Sequence, residues 1–213
     1  MTTPNRPPKD DLVRATFPAV ELRAEGDGMP TMVGHFSRFG EWARIESTFE
    51  GTFMERVAPG AFRKTLAENR DNIRVLFQHG RDPQVGDKPL GPITQLREDA
   101  DGAYYEVPLL DTSYNRDLLP GLQAGLYGAS FRFSVVKEDF VAKPTRSTTN
   151  PKGIPERTIR EARVMEFGPV TFPAYAGATA SVRSLTDAYI LERFTADPTR
   201  LARSLDDLAA SLL

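Results

Sequence analysis

Apolar and polar residues alternate with a period of two along residues 126–135. Ala129, Phe131, Phe133 and Val135 fall on one side of an extended chain, and Gly128, Ser130, Arg132 and Ser134 on the other. The small pair Gly128 and Ala129 leading into Ser130 marks a strand that starts where another group needs close access to the backbone. The same period predicts strands over 16–24 and 31–39, separated by the turn-rich Glu25-Gly26-Asp27-Gly28. It predicts another over 72–79, where Ile73, Val75, Phe77 and His79 share a face. Residues 91–97 and 103–110 form a hairpin through Asp101-Gly102, a strong turn signal. A last strand covers 158–167, with Glu166 on the same alternation as Ala162 and Val164 and therefore partly buried.

Helical spacing appears over 61–69, with Phe62 and Leu66 at i, i+4, and over 112–125, with Asp111 or Thr112 as N-cap and Pro120 limiting the interior. After Ser181 it returns, first through Leu185, Ala188, Tyr189 and Leu191. Leu201, Leu205, Leu208 and Leu212 then form an amphipathic tail. Residues 1–12 are Pro-rich and polar and read as a disordered lead-in. Residues 142–155, rich in Lys, Pro, Ser and Thr, read as a mobile surface loop. No internal repeat is present. The fold class expected is β-rich α+β, a barrel or strongly bent sheet with flanking helices.

Composition narrows the function classes. The 213 residues suffice for one domain with a core, plus tails. A formal net charge of −2 gives no electrostatic case for nucleic-acid or membrane-surface binding. The absence of cysteine removes thiol catalysis, disulfides and thiolate metal sites together. No signal peptide or membrane span is visible, so a soluble protein of the cytoplasm, or of an assembly built there, is expected.

Ser130 is a candidate nucleophile, but a serine hydroxyl is weak until a base takes its proton. Only two histidines exist, His35 and His79. His79 ends a predicted strand just before Gly80, whereas His35 lies within one, between Gly34 and Phe36. Glu166 is a candidate carboxylate. Each residue alone also fits a structural role: a core imidazole on a backbone carbonyl, a serine on a polar strand face, or a carboxylate paired with Arg160 or Arg163. Gly128-Ala129-Ser130-Phe131-Arg132 lacks the second glycine of the α/β-hydrolase elbow. His79-Gly80-Arg81-Asp82 has no zinc-peptidase spacing, and phosphate-cradling glycine loops are absent.

Four motifs, in order, carry a resemblance. These are Phe53-Met54-Glu55-Arg56-Val57-Ala58-Pro59-Gly60-Ala61-Phe62; Val75-Leu76-Phe77-Gln78-His79 leading to Pro89-Leu90-Gly91; Gly128-Ala129-Ser130-Phe131-Arg132-Phe133; and Glu166-Phe167-Gly168-Pro169-Val170-Thr171-Phe172-Pro173-Ala174-Tyr175 with Ala178. Together, over residues 33–184, they resemble the prohead (capsid maturation) proteases of tailed bacteriophages, which are similar in fold to the herpesvirus assemblin proteases. The resemblance implies a lead-in over 1–12, a protease domain over 13–184 and a helical tail over 185–213. It carries the roles of nucleophile and base onto Ser130 and His79. For the third member, assemblins use a second histidine, but phage relatives commonly have an acidic residue before the Phe-Pro-Ala stretch. That residue is Glu166 here, with Glu161 as second choice. His35 stands where relatives often have an aromatic residue, which suits a structural role.

The activity implied is serine endopeptidase cleavage of scaffold, or of the N-terminal scaffolding segment of the major capsid protein, and of the enzyme itself. It would take place inside the assembling prohead in the host bacterial cytoplasm. No cofactor or metal is implied. Expected partners are the major capsid protein and scaffold, with a homodimer to test for because herpesvirus relatives act as dimers. Suspects for the oxyanion donors are backbone amides near Gly128 or within 142–155, with Arg132 or Arg157 nearby. The tail could contact scaffold, another subunit or its own core. The alternative is a catalytically inactive, protease-like assembly factor. The enzymatic reading requires Ser130 and His79 to be neighbours at an opening that a polypeptide can reach.

Overall fold

The computed structural model describes residues 6–16, 20–24, 26, 28–171 and 182–196. In chain order these form β1 (Leu12–Thr16), β2 (Glu21–Arg23), β3 (Thr31–Arg38), β4 (Ala43–Ser47), β5 (Gly51–Val57), α1 (Arg63–Glu68), β6 (Arg74–Val75), β7 (Gln95–Glu98), β8 (Gly102–Pro108), α2 (Ser113–Gln123), β9 (Gly128–Val141), β10 (Glu156–Val170), β11 (Val182–Ser184) and α3 (Thr186–Ala196). The larger sheet runs β11-β1-β9-β10-β5-β4, with β6 added beside β10, and the smaller runs β2-β3-β8-β7. The β-rich α+β class is as expected. Neither strand path closes on itself among the described residues, so the barrel alternative gives way to two open sheets.

The apolar faces predicted by alternation meet between the sheets. Phe36 of β3 lies 5.2 Å from the ring of Phe131 and 5.0 Å from that of Phe167, while Tyr105 of β8 lies 4.9 Å from Phe167. All four are essentially buried, and such aromatic pairs add about 0.5–1.5 kcal/mol each beyond the area they remove from water. β9 and β10 form the long antiparallel hairpin on which the rest is hung, with Ser130 opposite Gly168 and Arg132 opposite Glu166.

β10 is bordered on its other side by two short parallel partners, β5 along Glu156 to Ile159 and β6 along Glu166 and Phe167. α1 and the residues leading into it fill the gap between them. Ala162 N–H donates to the carbonyl of Ala61 (2.8 Å) and Val164 N–H to Thr65 Oγ1 (3.2 Å), so β10's backbone groups stay bonded where no strand is available. α2 begins at Thr112, whose side chain accepts from Asn115 N–H, as expected for an N-cap. Pro120 sits within the helix, and Gly125, in left-handed conformation (φ 67°), follows its end.

Several expectations are corrected. Instead of one strand over 16–24, β1 stops at Thr16 and β2 starts at Glu21. Within the expected lead-in, Pro7 and Leu12 are buried and the Lys9 carbonyl accepts from Val135 N–H at 2.7 Å. The first hairpin arm is short, Gln95–Glu98 rather than 91–97. Residues 142–155 are organised around buried Asn150, which donates to the Ile154 carbonyl (2.7 Å) and Glu156 Oε1 (2.9 Å) and accepts from Ile154 N–H (3.1 Å). A loop with its own buried amide hub is not the loose segment its composition suggests. α3 covers the first part of the expected tail; the leucines at 201, 205, 208 and 212 lie outside the described residues.

Beneath β1 lies a buried charge network. Arg14 pairs with Glu50 (2.6 Å) and Glu55 (2.7 Å), and Arg157 with Glu138 (2.7 Å) and Glu55 (3.4 Å). Burial works against the Arg14 charge, but the two carboxylates prevail and hold its pKa above the ordinary arginine value. Through Arg14 the network fixes the strand that flanks Ser130, since Ala15 is Ser130's register partner on β1.

Candidate active site

Alternation over 72–79 predicts a strand carrying His79 on the Ile-Val-Phe face. Ile73, Val75 and Phe77 are indeed buried, but the strand is only Arg74–Val75. Beyond Phe77 the chain turns left-handed at Gln78 (φ 50°), His79 (φ 57°) and Gly80 (φ 74°). For residues with a Cβ this conformation costs about 1–2 kcal/mol each, which the surroundings must offset. Gln78 Nε2 donates to Thr171 Oγ1, just past the end of β10, and Leu76 N–H donates to the Phe167 carbonyl at 2.9 Å. The turn takes the imidazole off the core face and presents it to β9.

There the predicted residues converge. His79 Nε2 lies 2.9 Å from Ser130 Oγ, and His79 Nδ1 lies 2.7 Å from Glu166 Oε1. A neutral imidazole whose Nδ1 faces a carboxylate keeps its proton there, which leaves the Nε2 lone pair facing the hydroxyl. Ser130 Oγ is also 2.9 Å from the Arg14 carbonyl, a second acceptor for its single proton. Glu166 Oε2 has no hydrogen-bond partner among the described residues, and neither does Arg132 Nε, which lies 3.9 Å from Glu166 Oε1.

Glu161 is placed elsewhere: it pairs with Lys137 and, at 3.7 Å, with Lys64, on the outer side of β10. His35 is bonded through Nε2 to both oxygens of Asp99 (2.9 Å each) and packs edge-on against Tyr104 in the smaller sheet. Of the oxyanion suspects, residues 142–155 join the far ends of β9 and β10, at Val141 and Glu156, and do not approach Ser130. Arg157 is locked in the buried network at that same end, whereas Arg132 is beside the site.

Ser130 is 0% exposed, and the His79 and Glu166 side chains are 8% and 6% exposed. Tyr189 of α3 stands edge-on to His79, 6.2 Å between ring centroids, and its hydroxyl accepts from Arg132 Nη1. Arg81 lies 3.8 Å above the same ring and donates to the Tyr189 carbonyl at 2.6 Å. Neither Tyr189 nor Arg81 carries a sequence signal for this role, because their meeting is tertiary. The strand predicted over 158–167 runs on through Gly168 to Val170, and a Cβ on Gly168 would lie 2.0 Å from the Leu76 carbonyl oxygen.

A hydroxyl, an imidazole and a carboxylate stand in series on two sheet strands and a strained turn, an arrangement of the kind that serine hydrolases require. The family model described as caudovirus prohead serine protease matches residues 18–190, and the chain belongs to that family. It is 28% identical over 193 residues to the prohead protease of Enterobacteria phage HK97, spanning 89% of this chain and 78% of that protein. Among solved structures it is similar to the bacteriophage T4 capsid assembly protease, gp21, with a TM-score of 0.44 and 13% identity, covering 79% of this chain and all of that one. No helix among the described residues is long and apolar enough to cross a membrane.

Proposed function

We propose that the chain is a serine endopeptidase of prohead maturation in which Ser130 is the nucleophile, His79 the general base and acid, and Glu166 the group that orients His79. The observation that carries this is the unbroken series from Ser130 Oγ through both imidazole nitrogens to Glu166. Ser130 Oγ bonds to a peptide carbonyl carbon as its proton passes to His79 Nε2. The carboxylate of Glu166 stabilises the imidazolium that forms. The tetrahedral intermediate expels the amine, which takes the proton from Nε2. Water then attacks the acyl-serine, giving a proton to His79, and the released serine recovers one. The chemistry needs no cofactor or metal. The substrates proposed are scaffold, the scaffolding segment of the major capsid protein and the chain itself, within the assembling prohead in the host bacterial cytoplasm.

The full burial of Ser130 favours a second reading, an inactive assembly factor that binds capsid protein or scaffold. Co-expression with the cognate capsid protein, read by mass spectrometry, separates the two. The enzymatic reading expects cut capsid protein with the wild type and uncut precursor with Ser130→Ala. Equal products from both variants overturn it, and normal mature shells with uncut protein establish the assembly factor.

A further inference from the structure

The berth of Tyr189 has the features of a side-chain pocket, and it lies beside the groups assigned to catalysis. One face of the ring is covered by the Arg81 guanidinium at 3.8 Å, and the Arg132 guanidinium lies 5.5 Å from the ring centroid. The ring edge meets His79. At the far end Arg132 donates to the phenolic oxygen, and the residue as a whole is 7% exposed. One guanidinium over the ring and a second beside it that donates to its tip favour a tyrosine over an aliphatic side chain of similar size.

The residue that fills this berth comes from a helix secured elsewhere. Thr186 Oγ1 accepts from Val13 N–H (3.0 Å), and the Asp187 carboxylate accepts from Ser47 Oγ (2.5 Å) and Thr48 N–H (2.7 Å). These bonds hold the first turn of α3 on β1 and the β4–β5 turn without using the berth. The helix beyond Asp187 can therefore lift while its start stays attached. Ser130 is fully buried, so a substrate reaches it only after some neighbouring group has moved, and the Tyr189 ring, edge-on to His79, is beside its partner base.

We infer that the Arg81–Arg132 berth is a specificity pocket for an aromatic, preferably tyrosine, side chain of the substrate, and that Tyr189 occupies it in cis and holds the protease latent. This rests on the proposed function: the pocket has meaning only if Ser130 and His79 act on peptide bonds. A substrate must then bring an aromatic residue at a fixed distance from the scissile bond and displace Tyr189.

The test uses the full-length chain as wild type, Tyr189→Ala and Tyr189→Phe, each with a Ser130→Ala control. Ser130 modification by a fluorophosphonate is followed by intact mass, and cleavage of a synthetic peptide library by mass spectrometry. Tyr189→Ala is expected to label on the order of tenfold faster than wild type, the effect of emptying a pocket with differential occupancy. Tyr189→Phe keeps the ring packing, guards against simple misfolding, and should fall between them. Cleaved peptides should share Tyr or Phe at one position, and adding Arg132→Gln to Tyr189→Ala should erase the preference for Tyr over Phe. Equal labelling of wild type and both Tyr189 variants, or a cleavage profile with no aromatic position, overturns the inference while leaving the enzymatic reading intact. If no variant labels at Ser130 and none cuts peptides, the enzymatic reading fails and this inference fails with it.

Discussion

Gly168 stands opposite Ser130 in the β9–β10 ladder, and its α-carbon faces the Leu76 carbonyl so closely that a Cβ would fall 2.0 Å from that oxygen. The obstacle is backbone, which cannot swing aside as a long side chain would. Gly168 is thus what lets the segment leading into the His79 turn lie against the strand paired with Ser130. Gly168→Ala is expected to lower stability by about 1–3 kcal/mol, the usual cost of overpacking. Activity should fall further than stability explains, since a displacement of about 1 Å in a reacting pair costs on the order of 10²-fold. Urea unfolding alongside peptide-cleavage kinetics checks both parts.

What the sequence made legible is the part governed by local period. Phe131 and Phe133 alternate with Ser130 and Arg132 as the core requires, and Thr112 caps α2 because its side chain reaches a nearby amide. Ser130, His79 and Glu166 could be named as candidates because histidines are few and the motifs are ordered. The turn at His79 was illegible for a physical reason. Ile73, Val75 and Phe77 alternate as a strand would and are all buried, yet after Val75 the ladder is abandoned and Gln78 and His79 take left-handed angles that no propensity favours. Asn150 misled in the opposite sense, since a polar loop composition says nothing about a buried amide that bonds the loop to itself. The covering of the site by Tyr189 depends on where α3 docks, and no short-range pattern encodes that.

The geometry separates the two candidate acids. Glu166 lies 2.7 Å from His79 Nδ1, while Glu161 is engaged by Lys137 and Lys64. Glu166→Gln keeps the shape but removes the charge proposed to stabilise the imidazolium, so cleavage should fall by roughly 10²–10⁴. Glu161→Gln should leave kcat/KM within about twofold, because its partners Lys137 and Lys64 are exposed and lie away from the His79–Ser130 pair. A comparable loss in both variants would remove Glu166 from the orienting role.

His35 and Asp99 give an acid-dependent increment to stability. Partial burial raises the Asp99 pKa, but the bonds from His35 and from the Asp101 and Gly102 amides outweigh it and hold the carboxyl below its usual value. A depressed native pKa contributes stability that is complete above the unfolded value of about 3.9 and lost as the pH falls through the native one. Asp99→Asn should therefore be less stable than wild type near neutrality, and its stability should decline less between about pH 5 and pH 2. Urea midpoints across that range measure the difference, and parallel curves for the two proteins would refute the assignment.

Arg14 couples the buried network to the site. Its guanidinium is the cation on which Glu50 and Glu55 converge, and its carbonyl accepts from Ser130 Oγ. Arg14→Ala leaves two sequestered carboxylates without that cation, and removing one partner of such an arrangement typically costs about 3–5 kcal/mol. The Arg14 carbonyl is unchanged by the substitution, so the serine keeps its second acceptor as long as β1 stays in register with β9. The expected result is a large drop in the urea midpoint, with fluorophosphonate labelling of the still-folded fraction close to wild type. Replacing Arg14, Glu50 and Glu55 together by Met, Leu and Leu should recover much of the lost stability, because an apolar cluster avoids the desolvation that the ions incur. If the triple variant is no more stable than Arg14→Ala, the network holds β1 in place by its geometry rather than by neutralising charge.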